Sequence, residues 1–166
     1  MLGDEEKTSR ERAKALIDEL DEDGAGEAVA YLTRLRDAEP DSRGLMATIG
    51  LSSKQKDDGR STMEVTAAPH LMNPHGVLHG AVLFAAMDTA MGGALTSLLA
   101  DGETCATVEA KINYLAPVFG GRLTASATVV HKGGRVAVVE ARTTTADGRP
   151  AAVMLGTFII QRRQET

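Results

Sequence analysis

The chain has 166 residues, enough for one domain with an appendage and a substantial core. Three Phe, two Tyr, no Trp and no strong basic stripe argue against nucleic-acid recognition, and the single cysteine rules out a disulfide framework or a multi-cysteine zinc site. The net charge of −5 is uneven: residues 1–41 hold thirteen acids against six bases, whereas residues 42–166 hold ten against twelve. The pattern predicts an acidic helical extension over 1–41 and a weakly positive domain over 42–166, compatible with a phosphorylated small molecule. One cysteine and a charged N-terminus without an apolar signal core lead us to expect a cytoplasmic protein.

In chain order, residues 4–20 read as a helix, because Ala13, Leu16, Ile17 and Leu20 recur at helical spacing. The tract Asp21-Glu-Asp-Gly-Ala-Gly26 is expected to break it. A shorter helix over 27–37 then carries Ala28, Tyr31, Leu32 and Leu35 on one face and ends before Pro40. This amphipathic hairpin is expected to pack on the body or on a neighbouring subunit. Residues 43–51 fit a helical turn or a strand, and 61–68 a strand.

Residues 80–100 are nearly all apolar and contain one ionisable side chain, Asp88. The segment is long enough to raise the question of a membrane span. Its Gly and Ala content, its central acid and the lack of a flanking basic cluster point instead to a buried helix. Four β segments follow. In residues 104–115, Val108, Ala110, Ile112 and Tyr114 alternate with Glu109, Lys111 and Asn113, the period of a strand with one wet face. Cys105 lies in this strand and reads as a packing residue. Gly120-Gly121 turns the chain into 122–131, Lys132-Gly-Gly-Arg135 forms a hairpin into 135–146, and Ala146-Asp-Gly-Arg-Pro150 turns it into 151–161. One apolar helix with hairpin-linked strands specifies an α+β fold, a curved antiparallel sheet around a central helix.

The chemistry concentrates before and within that helix. A polar loop with Asn73, His75 and His79 leads into the apolar segment that holds Asp88. A carboxylate in such a setting must be paired, hydrogen-bonded or used, since an isolated buried charge is too costly to keep. A helix N-terminus supplies free N–H groups and the positive end of a dipole. Gly80 would expose such a donor with no side chain in the way. No carboxylate or thiolate accompanies the loop histidines in sequence, so a metal site is not expected. Gly133-Gly134 joins strands rather than opening a helix and so forms no phosphate loop. His131 reads as structural.

Asn73-x-x-Gly76-x-x-His79-Gly80, followed by Asp88 and by Thr107-Val-Glu-Ala-Lys-Ile-Asn-Tyr-Leu-Ala-Pro-Val118, resembles the signature of the PaaI-type hotdog-fold acyl-CoA thioesterases. The match continues through Gly121-Arg-Leu-Thr-Ala and Val130-His-Lys-Gly-Gly-Arg135 and spans roughly residues 43–162. Two positions depart from the pattern: Ala81 replaces a second glycine, and Gly92 stands where one branch carries Ser or Thr. The resemblance implies thioester hydrolysis of an acyl-CoA, with Asp88 as nucleophile or general base. It assigns carbonyl polarisation to Gly80 and Asn73, assistance at the thioester or bracing of the loop to His79, and orientation of water to Thr107. No separate cofactor is expected, coenzyme A being part of the substrate. Arg122, Lys132 and Arg135, which flank turns, are candidates for its phosphates.

Gly80 and Asp88 are eight residues apart, about 12 Å along one helix axis at 1.5 Å per residue. One carbonyl cannot touch both, so a shared site needs Asp88 from a second chain. This predicts a homodimer, which the resemblance also implies, with a dimer of dimers as the further step. Two rival readings use the same fold. One is a non-catalytic acyl-CoA-binding protein. The other is a hydratase or dehydratase, whose Asp-x-Asn-Pro-x-His loop resembles Asn73-Pro74-His75, although Leu71 stands in the Asp position and the spacer before His is missing.

Overall fold

The computed structural model describes residues 8–38 and 44–162, in two compact units divided between Thr48 and Ile49. The first contains α1 (Ser9–Asp18), α2 (Glu22–Asp37) and most of the short α3 (Leu45–Ile49). Thr8 and Glu11 close a capping box at the start of α1, so the helix begins at Ser9; the expected start at residue 4 lies outside the described residues. The expected break at 21–26 is confined to Glu19–Asp21. Asp21 caps α2 through the N–H of Gly24 at 2.8 Å, and Glu22 and Asp23 suit the positive end of the helix dipole. Capping thus overcomes the cost of the two glycines and starts α2 five residues earlier than the reading from apolar spacing. Neither α1 nor α2 has a fully buried side chain.

The second unit is a six-stranded antiparallel sheet curved around α4 (Gly80–Thr96), the arrangement expected from the sequence. Its strands are β1 (Ser52–Asp57), β2 (Arg60–Ala67), β3 (Glu103–Tyr114), β4 (Gly121–Lys132), β5 (Val136–Thr145) and β6 (Pro150–Arg162), in spatial order β1-β2-β4-β5-β6-β3. The strand β1 was not anticipated, because Ser-Ser-Lys-Gln-Lys-Asp is polar throughout and every residue is exposed. The overlooked signal was Asp58-Gly59. Both residues have positive φ (43° and 71°), as a tight hairpin into β2 requires.

Small side chains let the sheet approach the helix. The inner faces of β4, β5 and β6 carry Ala125, Ala127, Ala137, Ala141 and Ala152, all buried. On α4 the buried stripe is Val82, Leu83, Ala86, Met87, Ala90, Met91, Ala94 and Leu95. A Cβ placed on Gly93 would lie 2.8 Å from the Ser61 hydroxyl of β2, so the closest helix–sheet approach depends on that glycine. No described helix is long and apolar enough to cross a membrane.

Two features set the site. The sheet ends in a free twelve-residue edge at β3. Within β3 the pairing with β6 shifts between Thr107 and Glu109, a bulge that leaves Val108 outside the ladder and 61% exposed. The strict alternation expected for residues 104–115 fails there. Ala110 and Ile112 keep the phase of the reading, and Thr107 takes the helix-facing place expected of Val108.

Candidate active site

The loop before α4 is built around Asn73. Its side-chain oxygen accepts the N–H groups of His75 (2.9 Å) and Val77 (3.3 Å), while its backbone N–H donates to Val77 O and its carbonyl accepts from Gly76. Gly76, at φ 70°, supplies the left-handed residue that the turn needs. With the oxygen committed to the loop, only the amide Nδ2 of Asn73 is left to act as a donor. The loop is tied further by Leu78 N–H to Val118 O at 2.8 Å and His79 N–H to Leu71 O at 2.9 Å.

His79 is the N-cap of α4, its Nδ1 accepting the Ala81 N–H at 3.1 Å. The neutral ring therefore carries its proton on Nε2, which leaves a donor facing outward from an exposed side chain. Val82 N–H bonds to the His79 carbonyl, and no described residue accepts the N–H of Gly80. A free first-turn donor thus stands at the positive end of a seventeen-residue helix.

Two turns on, Asp88 sits half-buried on the open face of α4, in line with Phe84, Gly92 and Thr96. The Thr107 hydroxyl donates to its Oδ1 at 2.9 Å. The carboxylate expected to need a partner thus has one, delivered by the bulge in β3. Oδ2 takes no described hydrogen bond, so it is left for water or substrate. Since α4 is continuous, Gly80 and Asp88 of one chain are held about 12 Å apart along the axis. Asn73, His79 and Gly80 form one cluster, and Asp88 with Thr107 forms another.

The cations are dispersed. Arg122 is the second residue of β4 and lies 3.9 Å from Glu64, whereas Lys132 closes β4 and Arg135 follows in the hairpin. Ten residues of strand put about 33 Å between Arg122 and Lys132. The ring of His75 is exposed, as is His131, and among the described residues no three His, Cys, Asp or Glu side chains gather in a metal-binding group. Cys105 is half-buried, its sulfur 3.8 Å from the Thr96 hydroxyl.

Tyr114 was not singled out from sequence. Its hydroxyl donates to the Gly80 carbonyl at 3.1 Å, and its ring lies so close that a Cβ on Gly80 would stand 2.9 Å from it. Beside the pair opens a pocket of about 360 Å³ between the pre-helix loop and residues 115–118. Alternation in β3 puts Tyr114 on the helix side, but only the register of strand against helix brings it to Gly80.

The profile of the thioesterase superfamily matches residues 75–152, a span that includes His79, Gly80, Asp88, Thr107 and Tyr114. A thioesterase-family protein from Silicibacter pomeroyi is 30% identical, with a TM-score of 0.70 over 80% of this chain and 98% of its own. The chain belongs to the thioesterase superfamily. A thioesterase from Haemophilus influenzae, 25% identical, superposes with a TM-score of 0.71 over 75% of this chain and 87% of its own. A 1,4-dihydroxy-2-naphthoyl-CoA hydrolase from Listeria monocytogenes is 27% identical over 74% of this chain and 99% of that protein. The sheet wrapped on α4 is thus the superfamily's hotdog fold, and hydrolysis of an ester or thioester is the class of chemistry its members carry.

Proposed function

We propose that this thioesterase-superfamily protein hydrolyses the thioester of an acyl-CoA, in sites shared between two copies of the chain. The observation that carries the reading is the Thr107 Oγ1–Asp88 Oδ1 hydrogen bond, which presents a single oriented carboxylate on an otherwise apolar helix face. In each site the Gly80 N–H and Asn73 Nδ2 of one chain receive the thioester oxygen, and Asp88 comes from the other. Donors fixed by the fold stabilise the developing oxyanion without reorganising, the largest usual contribution in acyl transfer.

Asp88 then acts in one of two ways. As general base it takes a proton from water, whose oxygen attacks the carbonyl carbon while Thr107 holds the other carboxylate oxygen. As nucleophile it attacks directly and forms an anhydride, which water opens. In the first route the C–S bond breaks and coenzyme A leaves as the thiol, with the proton that Asp88 took from water. In the second it leaves as the thiolate and is protonated by solvent, and water opening the anhydride releases the free acid and returns the Asp88 carboxylate. His79, donating from Nε2, stands near enough in sequence and fold to brace the loop or assist the departing sulfur.

The surface of the monomer supports the shared site. The face of α4 that carries Phe84, Asp88 and Gly92 meets only the edge strand β3 and is left partly open, although a largely apolar helix belongs in an interior. It adjoins the free edge of β3, and a long unpaired edge is a template for a second strand. The opposite edge, β1, is polar and carries Lys54 and Lys56. Pairing through β3 would cover the edge and the helix face together. A dimer of such dimers is the larger assembly we expect. The exposed Arg122, Lys132 and Arg135 take the coenzyme A phosphates, singly or from different chains. The Listeria relative, whose name specifies a CoA thioester, supports coenzyme A as the carrier.

The deciding experiment is thiol release from a panel of acyl-CoA and acyl-pantetheine thioesters, with the Asp88→Asn protein alongside. Release that depends on Asp88, with KM lower for acyl-CoA than for acyl-pantetheine, is the expected result. Binding without release would make the protein an acyl-CoA carrier, and hydration of enoyl-CoA without release would make it a hydratase. Equal KM values for the two carriers would remove the phosphate contacts.

A further inference from the structure

The helix α2 carries two apolar stripes, and only one of them is covered. Gly24, Ala28 and Leu35 are half-buried within the N-terminal unit: a Cβ on Gly24 would lie 3.4 Å from Leu20, and the Arg34 guanidinium reaches the Ala47 carbonyl at 2.9 Å. The second stripe is Ala25, Val29, Leu32 and Arg36, at the spacing of four, three and four residues that keeps a single line along a helix. Val29 is 54% exposed and Leu32 45%. An apolar line of this kind belongs against a partner.

The ends of the line say which partner. Three residues before Ala25 it reaches Glu22, so an acid opens it and a base, Arg36, closes it, each seven residues from Val29. Turned end for end, the line is its own complement. About a two-fold axis through Val29, Glu22 of one copy meets Arg36 of the other at both ends, and Val29 meets itself. Within one chain Glu22 and Arg36 are about 21 Å apart at 1.5 Å per residue and cannot pair. Arg36 bonds Asp37 through Nε and Nη2, at 2.6 and 2.9 Å, while its Nη1 is unengaged among the described residues. Both side chains of that pair are exposed, and an exposed ion pair holds its partners weakly.

We propose that α2 is a self-association helix: it packs antiparallel on α2 of a second copy of this chain, with Val29 at the two-fold axis, Ala25 and Leu32 to either side and a Glu22–Arg36 pair at each end. The joint is separate from the β3 edge and from every residue assigned to chemistry, so it stands or falls apart from the thioesterase reading.

The test uses the full chain with Cys105→Ser, which leaves introduced thiols as the only ones, and a short bis-maleimide whose product is read as dimer on a denaturing gel. Val29→Cys should cross-link copy to copy. Glu22→Cys should not, its counterpart standing about 21 Å away. In the Val29→Cys chain, Arg36→Glu or Glu22→Arg alone should slow cross-linking by about tenfold or more, because like charges then face each other at both ends. The two variants refolded together, or both substitutions in one chain, should restore it, since opposite charges meet again. Each substitution opposes the helix dipole, so recovery in the double variant cannot come from a firmer helix. If a charge variant loses helicity by circular dichroism, salt decides instead: cross-linking of the Val29→Cys chain should fall between about 0.05 and 0.5 M salt. The inference is overturned by no cross-link at Val29, by an equal one at Glu22, by charge reversal without loss or without rescue, or by a rate that salt does not change.

Discussion

Among the described residues Asp88 reaches one hydroxyl, Thr107, and that bond decides how the carboxylate can act. Oδ1 accepts that hydroxyl, while Oδ2 takes no described hydrogen bond. Replacing the acid with an amide keeps the shape and removes the base. Asp88→Asn should lower thioester turnover by roughly 10²–10⁴, the range lost with a general base, while acyl-CoA binding persists. Near-normal turnover would take Asp88 out of the mechanism. Asn73 raises a different question, because its oxygen braces the loop and its amide is the donor. Asn73→Ala is expected to depress kcat more than it raises KM, as removal of a group acting on the transition state does. A change confined to KM would make it a substrate-positioning residue. Little of this residue detail was legible from the one-dimensional chain. The types and spacing of Asn73, His79, Gly80 and Asp88 were visible, but the cap formed by His79 and the ring of Tyr114 on Gly80 depend on angles and register that spacing does not encode.

At the scale of elements, close approach governs the helix–sheet packing. Gly93 passes Ser61 with no room for a methyl, and the buried Ser61 hydroxyl has no partner among the described residues. Gly93→Ala should be destabilising by about 1–3 kcal/mol, because overpacking outweighs the gain of about 1 kcal/mol in helix propensity. Thermal melts are the measurement, and Ser61→Ala in the same chain should recover most of the loss. A more stable Gly93→Ala protein would show that the strand yields. At the other end of the chain, the Thr8 backbone N–H and then the Thr8 hydroxyl bond to the Glu11 carboxylate, holding it below the usual glutamate range. A depressed folded-state value contributes above the unfolded one and is lost as pH falls through the folded one. The helicity of α1 should therefore decline at acid pH by way of Glu11. Circular dichroism of Glu11→Gln should show a shallower decline below the glutamate range, and an unchanged acid profile would remove the capping box as its cause.

For the whole molecule, the separation along α4 turns a question of mechanism into one of assembly. With Gly80 and Asp88 about 12 Å apart on one rigid helix, an active site that uses both needs two chains. An Asn73→Ala chain refolded with an Asp88→Ala chain gives heterodimers holding one intact site and one doubly damaged site. Random pairing makes about half of the population heterodimers, so roughly a quarter of wild-type activity should return. Confirmed heterodimers without activity would place both residues in the same chain's site, and a fully active monomer would be equally decisive against the shared site.

Periodicity and turn residues alone determined the central helix and five of the six strands, because an apolar run of helical length and two-residue alternation bounded by Gly-rich turns have few other solutions. They also determined that Asp88 needed a partner, since burial of a charge carries its cost in any fold. Three things were decided only in the tertiary structure. The strand β1 has no apolar face, so its place at the edge comes from pairing with β2 through the Asp58-Gly59 turn. The start of α2 was set by the Asp21 cap, a local hydrogen bond stronger than the warning carried by two glycines. The partner of Asp88 came from a bulge: Val108 left the ladder and Thr107 turned toward the helix, a change of phase that no alternation pattern announces because it arises from the pairing of β3 with β6.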